Sequence, residues 1–258
     1  MTIIPNRWDR RGLPCFIFLR FRPGPQGHVA GCLHPHDRDF RDFRAAAVLP
    51  AAKPGFWAAT PVNWKSVCDV DNEGYHVALT HPALQELYGR SSTDIFHDNG
   101  LFQANATYGD RPGRCWSVRN HVKHSPLQDW LPPRLQRAWN YYGLFPNTVF
   151  IFTRETVQYY AEIPVAVNET VMSLQLYRQL DETRQTRVAR YLGSRIDRET
   201  SAEDQQLTIW SNEAMRSQAF DAFHLSDLEY GVRQGWRRVL AALSGAAMRA
   251  VWVFGGGK

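Results

Sequence analysis

Aromatic and β-branched residues dominate the middle of the chain, and helical patterns dominate its last third. The segments Thr148–Thr153, Thr156–Ile163 and Thr170–Tyr177 are joined by short links, which predicts an antiparallel meander of three strands. From Asp181 to about Leu243 the apolar spacing is helical, and Ser226 to Glu229 form a capping box that starts the last helix. The order of these elements predicts an α+β fold with an antiparallel sheet.

The first half of the chain has a weaker pattern. Cys15 to Phe21 is a short apolar run that predicts a strand, and Leu101 to Tyr108 alternates loosely like a second one. The spacing predicts a helix over Trp64–Tyr88 that is interrupted or ends near Pro82, because proline cannot continue a helical hydrogen-bond ladder. A further helix is predicted over Leu127–Tyr142, with a break or a new start at its paired prolines.

The charge distribution argues against a nucleic-acid partner. The chain has 258 residues and a net charge of +5, from 30 basic and 25 acidic residues. The charges alternate in sign, as in the DRDFRDFR run from Asp37 to Arg44. A nucleic-acid surface needs basic residues clustered on one face, so the excess of positive charge does not indicate such a surface.

The cysteines and the apolar runs indicate a cytoplasmic protein. Cysteines stand at positions 15, 32, 68 and 115 and form no Cys-x-x-Cys pair, which argues against a zinc ribbon or a thioredoxin-type motif. We expect them to be reduced thiols. No run approaches 18 apolar residues, and the first residues lack the apolar core of a signal peptide. We therefore expect no membrane association.

Two histidines form the main candidate site. His76 and His81 are five residues apart, and Glu73 precedes the first of them by three. Two imidazoles and one carboxylate on one face leave open coordination positions, as in non-haem Fe(II) oxygenases. In a regular helix the two histidines would diverge by about 140°, so both reach one metal only if the helix widens, as in a π-bulge, or breaks. Spacing alone is a weak signal, because paired histidines on a helix are more often ordinary side chains. The His-Glu-x-x-His pattern of zinc proteases is absent.

A longer set of motifs is more specific. The chain resembles the catalytic domain of the large (α) subunit of Rieske-type aromatic ring-hydroxylating oxygenases from about Leu13 to Leu240. The matching segments are Asn63-Trp64-Lys65, Glu73-Gly74-Tyr75-His76, His81-Pro82, Leu144-Phe145-Pro146-Asn147, Glu203-Asp204 and Leu225-Ser226-Asp227-Leu228-Glu229.

The resemblance implies a role for four residues. His76 and His81 would be the histidine ligands of a mononuclear Fe(II), and Asp204 would be the carboxylate ligand. Glu73 stands where the family has the acid that links the iron to the Rieske centre of a neighbouring subunit. That acid is often Asp in the family, so Glu73 is a variation on the pattern.

The carboxylate ligand is the least determined of these assignments. Ser201-x-x-Asp204 also fits a simple helix start, so the residues alone leave that alternative open. Asp181, Asp197 and Glu203 are the competing carboxylates.

The fold implied by the resemblance is a helix-grip domain, in which a curved antiparallel sheet surrounds a long helix and encloses an apolar pocket. The pocket would hold an aromatic or other apolar substrate beside the iron. The candidate lining residues are Phe102, Phe150, Phe152, Tyr159 and Phe223. Plain core packing is the alternative for each of them.

The family's Rieske [2Fe–2S] cluster needs a Cys-x-His and a Cys-x-x-His motif. Cys32-Leu33-His34 matches the first half and nothing matches the second, so we interpret it as coincidence and expect the cluster ligands to be absent from this chain. Residues 1–52 would be the end of a Rieske domain and a linker, 53–245 the catalytic domain, and 246–258 a tail without pattern, which indicates truncation at both ends. Electrons would come from a Rieske-bearing chain or a reductase, ultimately from NAD(P)H, and the family implies a homotrimer.

Three functions remain open from the sequence. The first is the catalytic part of an oxygenase that inserts oxygen from O2 by hydroxylation, dihydroxylation or oxidative demethylation. The second is a truncated, non-catalytic binding protein that keeps the helix-grip pocket. The third, a zinc hydrolase at the same ligands, would act without O2 or reductant.

Overall fold

A computed structural model of the chain describes residues 2–3, 19–20, 33–52, 55–56, 59–88, 91–97, 101–109 and 113–244. Strands β1 (Thr2–Ile3) and β2 (Leu19–Arg20) pair with each other as a short antiparallel ladder. Every other strand of the described residues belongs to one larger sheet.

The larger sheet has eight strands, all paired antiparallel. They are β3 (Val48–Pro50), β4 (Gly55–Phe56), β5 (Thr93–Phe96), β6 (Leu101–Thr107), β7 (Ala138–Leu144), β8 (Thr148–Phe152), β9 (Val157–Ala166) and β10 (Glu169–Gln179). Their order is β3-β10-β9-β8-β7-β6-β5, with β4 also paired to β10. The strands from β5 to β10 therefore follow the chain as one meander.

The helices of the described residues are α1 (Asp37–Asp42), α2 (Trp64–Asp71), α3 (Val77–Thr80), α4 (Pro82–Tyr88), α5 (Trp116–His124), α6 (Arg184–Met215) and α7 (Tyr230–Ser244). The 32-residue helix α6 begins where the Thr183 side chain accepts a hydrogen bond from the backbone N–H of Thr186. It contacts α2, α4 and α5. A capping box at Ser226 and Glu229 precedes α7, as the sequence predicts.

The sheet separates two packed layers, because successive side chains of a strand point to opposite faces. On one face Phe40 of α1 and Phe43, which directly follows α1, pack on Phe152, with ring centroids 4.7 Å and 5.4 Å away. On the other face α4, α5 and α6 bring Leu84, Leu87, Val118 and Ile196 together in a second cluster.

The predicted helix over Leu127–Tyr142 is wrong. The segment forms a single 3-10 turn at Pro133–Leu135 and then the central strand β7. Prolines at 132 and 133 remove two backbone donors, and the residues after them pair with β6 and β8 on both sides. The apolar spacing that suggested a helix instead supplies side chains to both faces of the sheet.

The other predicted strands and helices are confirmed, but their bounds differ and the long helical stretches are divided. The strands predicted at 101–108, 148–153, 156–163 and 170–177 are β6, β8, β9 and β10. The helical stretch 64–88 is divided into α2, α3 and α4, and the stretch 181–243 into α6 and α7.

Some predictions near the ends of the chain fall partly or wholly outside the described residues. Of the strand predicted over Cys15–Phe21 only Leu19 and Arg20 are described, and they form β2; Cys32 and the tail 246–258 lie outside the described residues. Among the described residues Cys68 and Cys115 are unpaired thiols. No helix in the described ranges combines the length and apolarity needed to cross a bilayer.

Candidate metal centre

A break in the helical segment brings the two histidines together. His76 immediately precedes α3, and His81 separates α3 from α4 with backbone angles of φ −114° and ψ 81°. A residue before proline is disfavoured in the helical conformation, so Pro82 accounts for the break at His81. The two rings then meet edge to face, with Nε2 atoms 3.2 Å apart. The geometry is a broken helix and not a π-bulge.

Helix α6 supplies the third group from far along the chain. Asp204 Oδ1 lies 2.8 Å from Nε2 of His81 and 3.5 Å from Nε2 of His76. The potential ligand atoms of the three residues all lie within 4.8 Å of one another. Asp204 Oδ1 is buried and makes no hydrogen bond of acceptable geometry. The predicted triad is therefore brought together in space.

Two further carboxylates hold the outer sides of the imidazoles. Glu73 contacts Nδ1 of His76 and accepts a hydrogen bond from the His76 backbone N–H at 3.2 Å. Glu203 accepts from Nδ1 of His81 at 2.7 Å. A proton on each Nδ1 leaves a lone pair on each Nε2, which is how metal-binding histidines are usually oriented. Three acceptor atoms then face one another, and a divalent cation would satisfy all three.

The charges of the site favour a cation. Burial alone would lower the pKa of His76, but the adjacent carboxylates of Asp204 and Glu73 outweigh it and raise that pKa to about 10. The pKa of His81 is also raised, because Asp204 and Glu203 outweigh its burial. The pKa of Asp204 is lowered despite burial by the two imidazoles. A site that holds protons this strongly also attracts a metal ion, which competes with them.

A cavity of about 360 Å³ opens beside these groups, between the sheet and helices α2 and α6. His76, Glu73 and Asp204 form part of its wall. Aliphatic residues line much of the rest, including Leu84, Ile151, Met172, Leu174 and Leu176. The volume and the mixture of apolar walls with a few polar groups are typical of a small-molecule site.

The predicted lining residues are mostly wrong. Phe102 lines the cavity, but Phe150, Phe152 and Tyr159 lie on the opposite face of the sheet, in the core under α1. The strand alternation explains this, since Ile151 between the two phenylalanines faces the cavity instead. Phe223 follows α6 and is 43% exposed.

The competing carboxylates occupy different places. Asp181 is at the surface, where its side chain is 64% exposed. Asp197 lies in the cavity wall, and Glu203 contacts the Nδ1 side of His81. Only Asp204 among these four lies against the Nε2 atoms of the histidines.

Sequence reasoning missed three acidic residues around the site. Asp94 accepts a hydrogen bond from the Gly74 backbone N–H at 2.9 Å and so fixes the loop between Glu73 and His76. Asp71 lines the cavity, and Glu162 lies buried near it. The signal for Glu162 was a charged residue within a predicted strand of otherwise buried type. Asp94 and Asp71 carry no such signal, because only tertiary packing gives them their contacts.

Comparison with known proteins agrees with this geometry. Residues 40–245 match the family model described as the ring hydroxylating alpha subunit, catalytic domain. No curated protein sequence matches the chain significantly.

Several solved structures share the fold. A quaternary ammonium Rieske monooxygenase has a TM-score of 0.64 at 16% identity, over 88% of this chain and 59% of that chain. A naphthalene 1,2-dioxygenase variant bound to phenanthrene has a TM-score of 0.59 at 14% identity, over 89% of this chain and 62% of that chain. A dicamba monooxygenase bound to 3,6-dichlorosalicylic acid has a TM-score of 0.50 at 10% identity, over 77% of this chain and 60% of that chain.

The chain thus spans about three fifths of the length of these structures. Their similarity confirms the predicted α+β fold of helix-grip type. With the family model matching most of the chain, the protein belongs to the family of ring-hydroxylating oxygenase alpha subunits and contains their catalytic domain.

Proposed function

We propose that this chain is the catalytic part of a non-haem Fe(II) oxygenase that inserts oxygen from O2 into a small organic molecule. The observation that carries the proposal is the convergence of two Nε2 atoms and one carboxylate oxygen at the wall of a cavity. In this proposal His76, His81 and Asp204 hold the iron, and the bound iron supplies O2 activation. The catalytic unit comprises residues 53–245.

The surrounding carboxylates orient the ligands. Glu73 and Glu203 hold the protons on Nδ1 of His76 and His81, which keeps both Nε2 lone pairs directed at the metal position. The aliphatic walls of the cavity exclude water from the substrate. Water exclusion strengthens the electrostatic interactions of the site and limits side reactions.

Electrons must reach the site from a Rieske centre on another chain or domain, reduced by a reductase that uses NAD(P)H. We propose Glu73 as the link to that centre. Its side chain contacts His76 on one side, and the 11% of it that is exposed can contact a partner on the other. Beside it Tyr75 and Leu79 are 47% and 91% exposed. These side chains leave an apolar surface next to the metal position on which an electron-donating partner, such as a second subunit of a trimer, can dock.

Iron stoichiometry after anaerobic reconstitution with Fe(II) tests the proposal. We expect about one iron per chain, lost in His81→Ala and in Asp204→Ala. His124→Ala on α5 is the matched control, because His124 lies outside the triad. Circular dichroism verifies that each variant is folded.

Each other outcome has a distinct meaning. Full iron content in Asp204→Ala would show that another carboxylate is the ligand. An iron-free wild type would overturn the oxygenase assignment and favour a non-catalytic binding protein. Zinc in place of iron, with activity in the absence of O2, would favour a hydrolase.

A further inference from the structure

Two half-buried carboxyl groups line the cavity away from the metal triad, and a buried third lies near one of them. Asp71 on α2 and Asp197 on α6 both line it. Glu162 on β9 is 1% exposed, interacts with Asp71, and has one carboxyl oxygen, Oε1, without a hydrogen-bond partner. No lysine or arginine in the described part of the chain forms an ion pair with any of the three.

Asp71 and Asp197 accept hydrogen bonds from neutral donors. The Tyr160 hydroxyl donates to Asp71 Oδ2 at 3.0 Å, and the Gln158 amide donates to Asp197 Oδ2 at 2.7 Å. Burial raises the pKa of Asp71 and of Asp197 to about 6, and raises that of Glu162 well above its usual range. Burial favours the protonated form of Glu162. The attraction of His76 for Asp71, and of His121 and Arg198 for Asp197, lowers the pKa of those two acids but is outweighed by burial, so a further positive charge beside Asp71 would be favourable.

Aromatic rings lie next to Asp71. Tyr141 packs on Phe102 and on Trp139 with centroids 5.5 Å and 5.7 Å away, and all three line the cavity. The Tyr141 hydroxyl lies 3.4 Å from that of Tyr160. Aromatic faces attract organic cations, and quaternary ammonium groups in particular.

Apart from His76, the described wall of the cavity has one basic side chain, Arg198, and its guanidinium lies against a surface ring. Among the described residues that line the cavity, Arg198 is the only lysine or arginine. Its guanidinium lies 6.0 Å from the ring centroid of Tyr191, a residue that is 55% exposed. Arg198 attracts Asp197 on its own helix, but it forms no ion pair with Asp71 in the described structure.

We propose that the cavity binds an organic cation, an alkylammonium or quaternary ammonium compound, with its positive charge beside Asp71 and against the rings of Tyr141 and Tyr160. The statement that this cation is the substrate rests on the oxygenase function proposed above. The binding itself does not. A neutral hydrocarbon would fill the same volume but would place no positive charge beside Asp71.

The test compares two probes of the same shape and different charge. Phenyltrimethylammonium and tert-butylbenzene are titrated into the intact chain, and binding is followed by tryptophan fluorescence, since Trp139 lies in the cavity wall. We expect the cation to bind at least about tenfold more tightly. Equal or tighter binding of the neutral probe would overturn the proposal.

Single substitutions locate the charge. Asp71→Asn should weaken cation binding about tenfold and leave the neutral probe unaffected, because the shape is kept and the charge is lost. Asp69→Asn is the matched control, because this half-buried acid of the same helix accepts a hydrogen bond from Trp236 and does not line the cavity. Asp197→Asn tests the opposite wall if Asp71→Asn does not fold. No weakening in either folded variant would refute the role of these acids.

Iron content measured on the same samples separates the two proposals. Normal iron binding with a preference for the neutral probe would refute the cationic ligand and leave the oxygenase function standing. A cation preference in a chain that binds no iron would refute the oxygenase function alone.

Discussion

Glu203 and Asp204 hold opposite sides of one imidazole. Glu203 accepts from Nδ1 of His81 at 2.7 Å, and Asp204 lies 2.8 Å from Nε2 of the same ring. His81 is 1% exposed, so the ring has no water on either side to replace these contacts. Two adjacent residues of α6 thereby fix both the orientation of the ring and the direction of its lone pair.

The Glu203 contact should affect metal affinity. Glu203→Ala removes the acceptor of the Nδ1 proton, and we expect Fe(II) to bind roughly 10- to 100-fold more weakly. Anaerobic Fe(II) titration measures the change. Glu213→Ala, an exposed position of the same helix, should bind iron like the wild type. Unchanged affinity in Glu203→Ala would show that Asp204 alone orients His81.

The contact between Asp94 and Gly74 should position the other histidine. Asp94→Ala frees the loop that carries Glu73 and His76, and we expect about a tenfold loss of Fe(II) affinity. Asp94→Asn keeps an oxygen that accepts the Gly74 N–H and should retain most of the affinity. A Cβ at Gly74 would lie 3.0 Å from Asp94 Oδ1, so Gly74→Ala should resemble Asp94→Ala. Equal losses in Asp94→Asn and Asp94→Ala would indicate a role for the charge instead.

Asp69 should make stability depend on pH. Burial raises its pKa to about 7, against the opposing effects of the Trp236 hydrogen bond and the Lys65 charge. The folded state then binds a proton that the unfolded chain releases near pH 3.8, so this contribution to stability falls as pH rises from about 4 to 7 and is fully present below pH 4.

Asp69→Asn removes that dependence. At pH 8 the variant should be more stable than the wild type by up to about 4 kcal/mol, and the difference should vanish near pH 4. Urea denaturation at several pH values measures it. A wild-type advantage at pH 8 would show that the Asp69 charge is instead stabilised by Lys65.

Glu155 should make stability depend on pH in the direction opposite to that of Asp69. Burial disfavours its charge, but His121 and Arg154 outweigh burial and lower its pKa to about 2. The stabilisation is present above the unfolded pKa of 4.5 and is lost as pH falls towards 2. Arg154 Nε lies 3.0 Å from Glu155 Oε1, and both residues are buried.

Glu155→Gln leaves the buried charge of Arg154 without its partner. We expect a loss of about 3 to 5 kcal/mol in the free energy of unfolding at pH 7, measured by urea denaturation. Glu169→Gln, at an exposed position of β10, should cost little. A loss under about 1 kcal/mol in Glu155→Gln would show that the cluster is solvated in the folded state.

The sequence predicts the local part of this structure and not the tertiary part. The strands β8 to β10 are identified by their own residue types, whereas β7 carries Trp139 and Tyr142 at a spacing that also fits a helix. Which face each strand turns to the cavity depends on its pairing, so Phe150 was placed on the wrong side. His76 and His81 became a candidate site through the resemblance to a family. Glu203 stands 122 residues from His81, so only the fold identifies it as the partner of that ring.

The spacing of two acidic residues on α6 bears on the length of the ligand. Asp197 and Asp204 belong to this one helix and are seven residues apart, which corresponds to two turns and about 10 Å along the axis. Because both residues belong to one continuous helix, the distance between them is fixed. If the proposed cation lies beside Asp71 and one end of it faces the metal position, a second polar group about 10 Å from that end would lie beside Asp197. Molecular length would then be a criterion of selection in addition to charge.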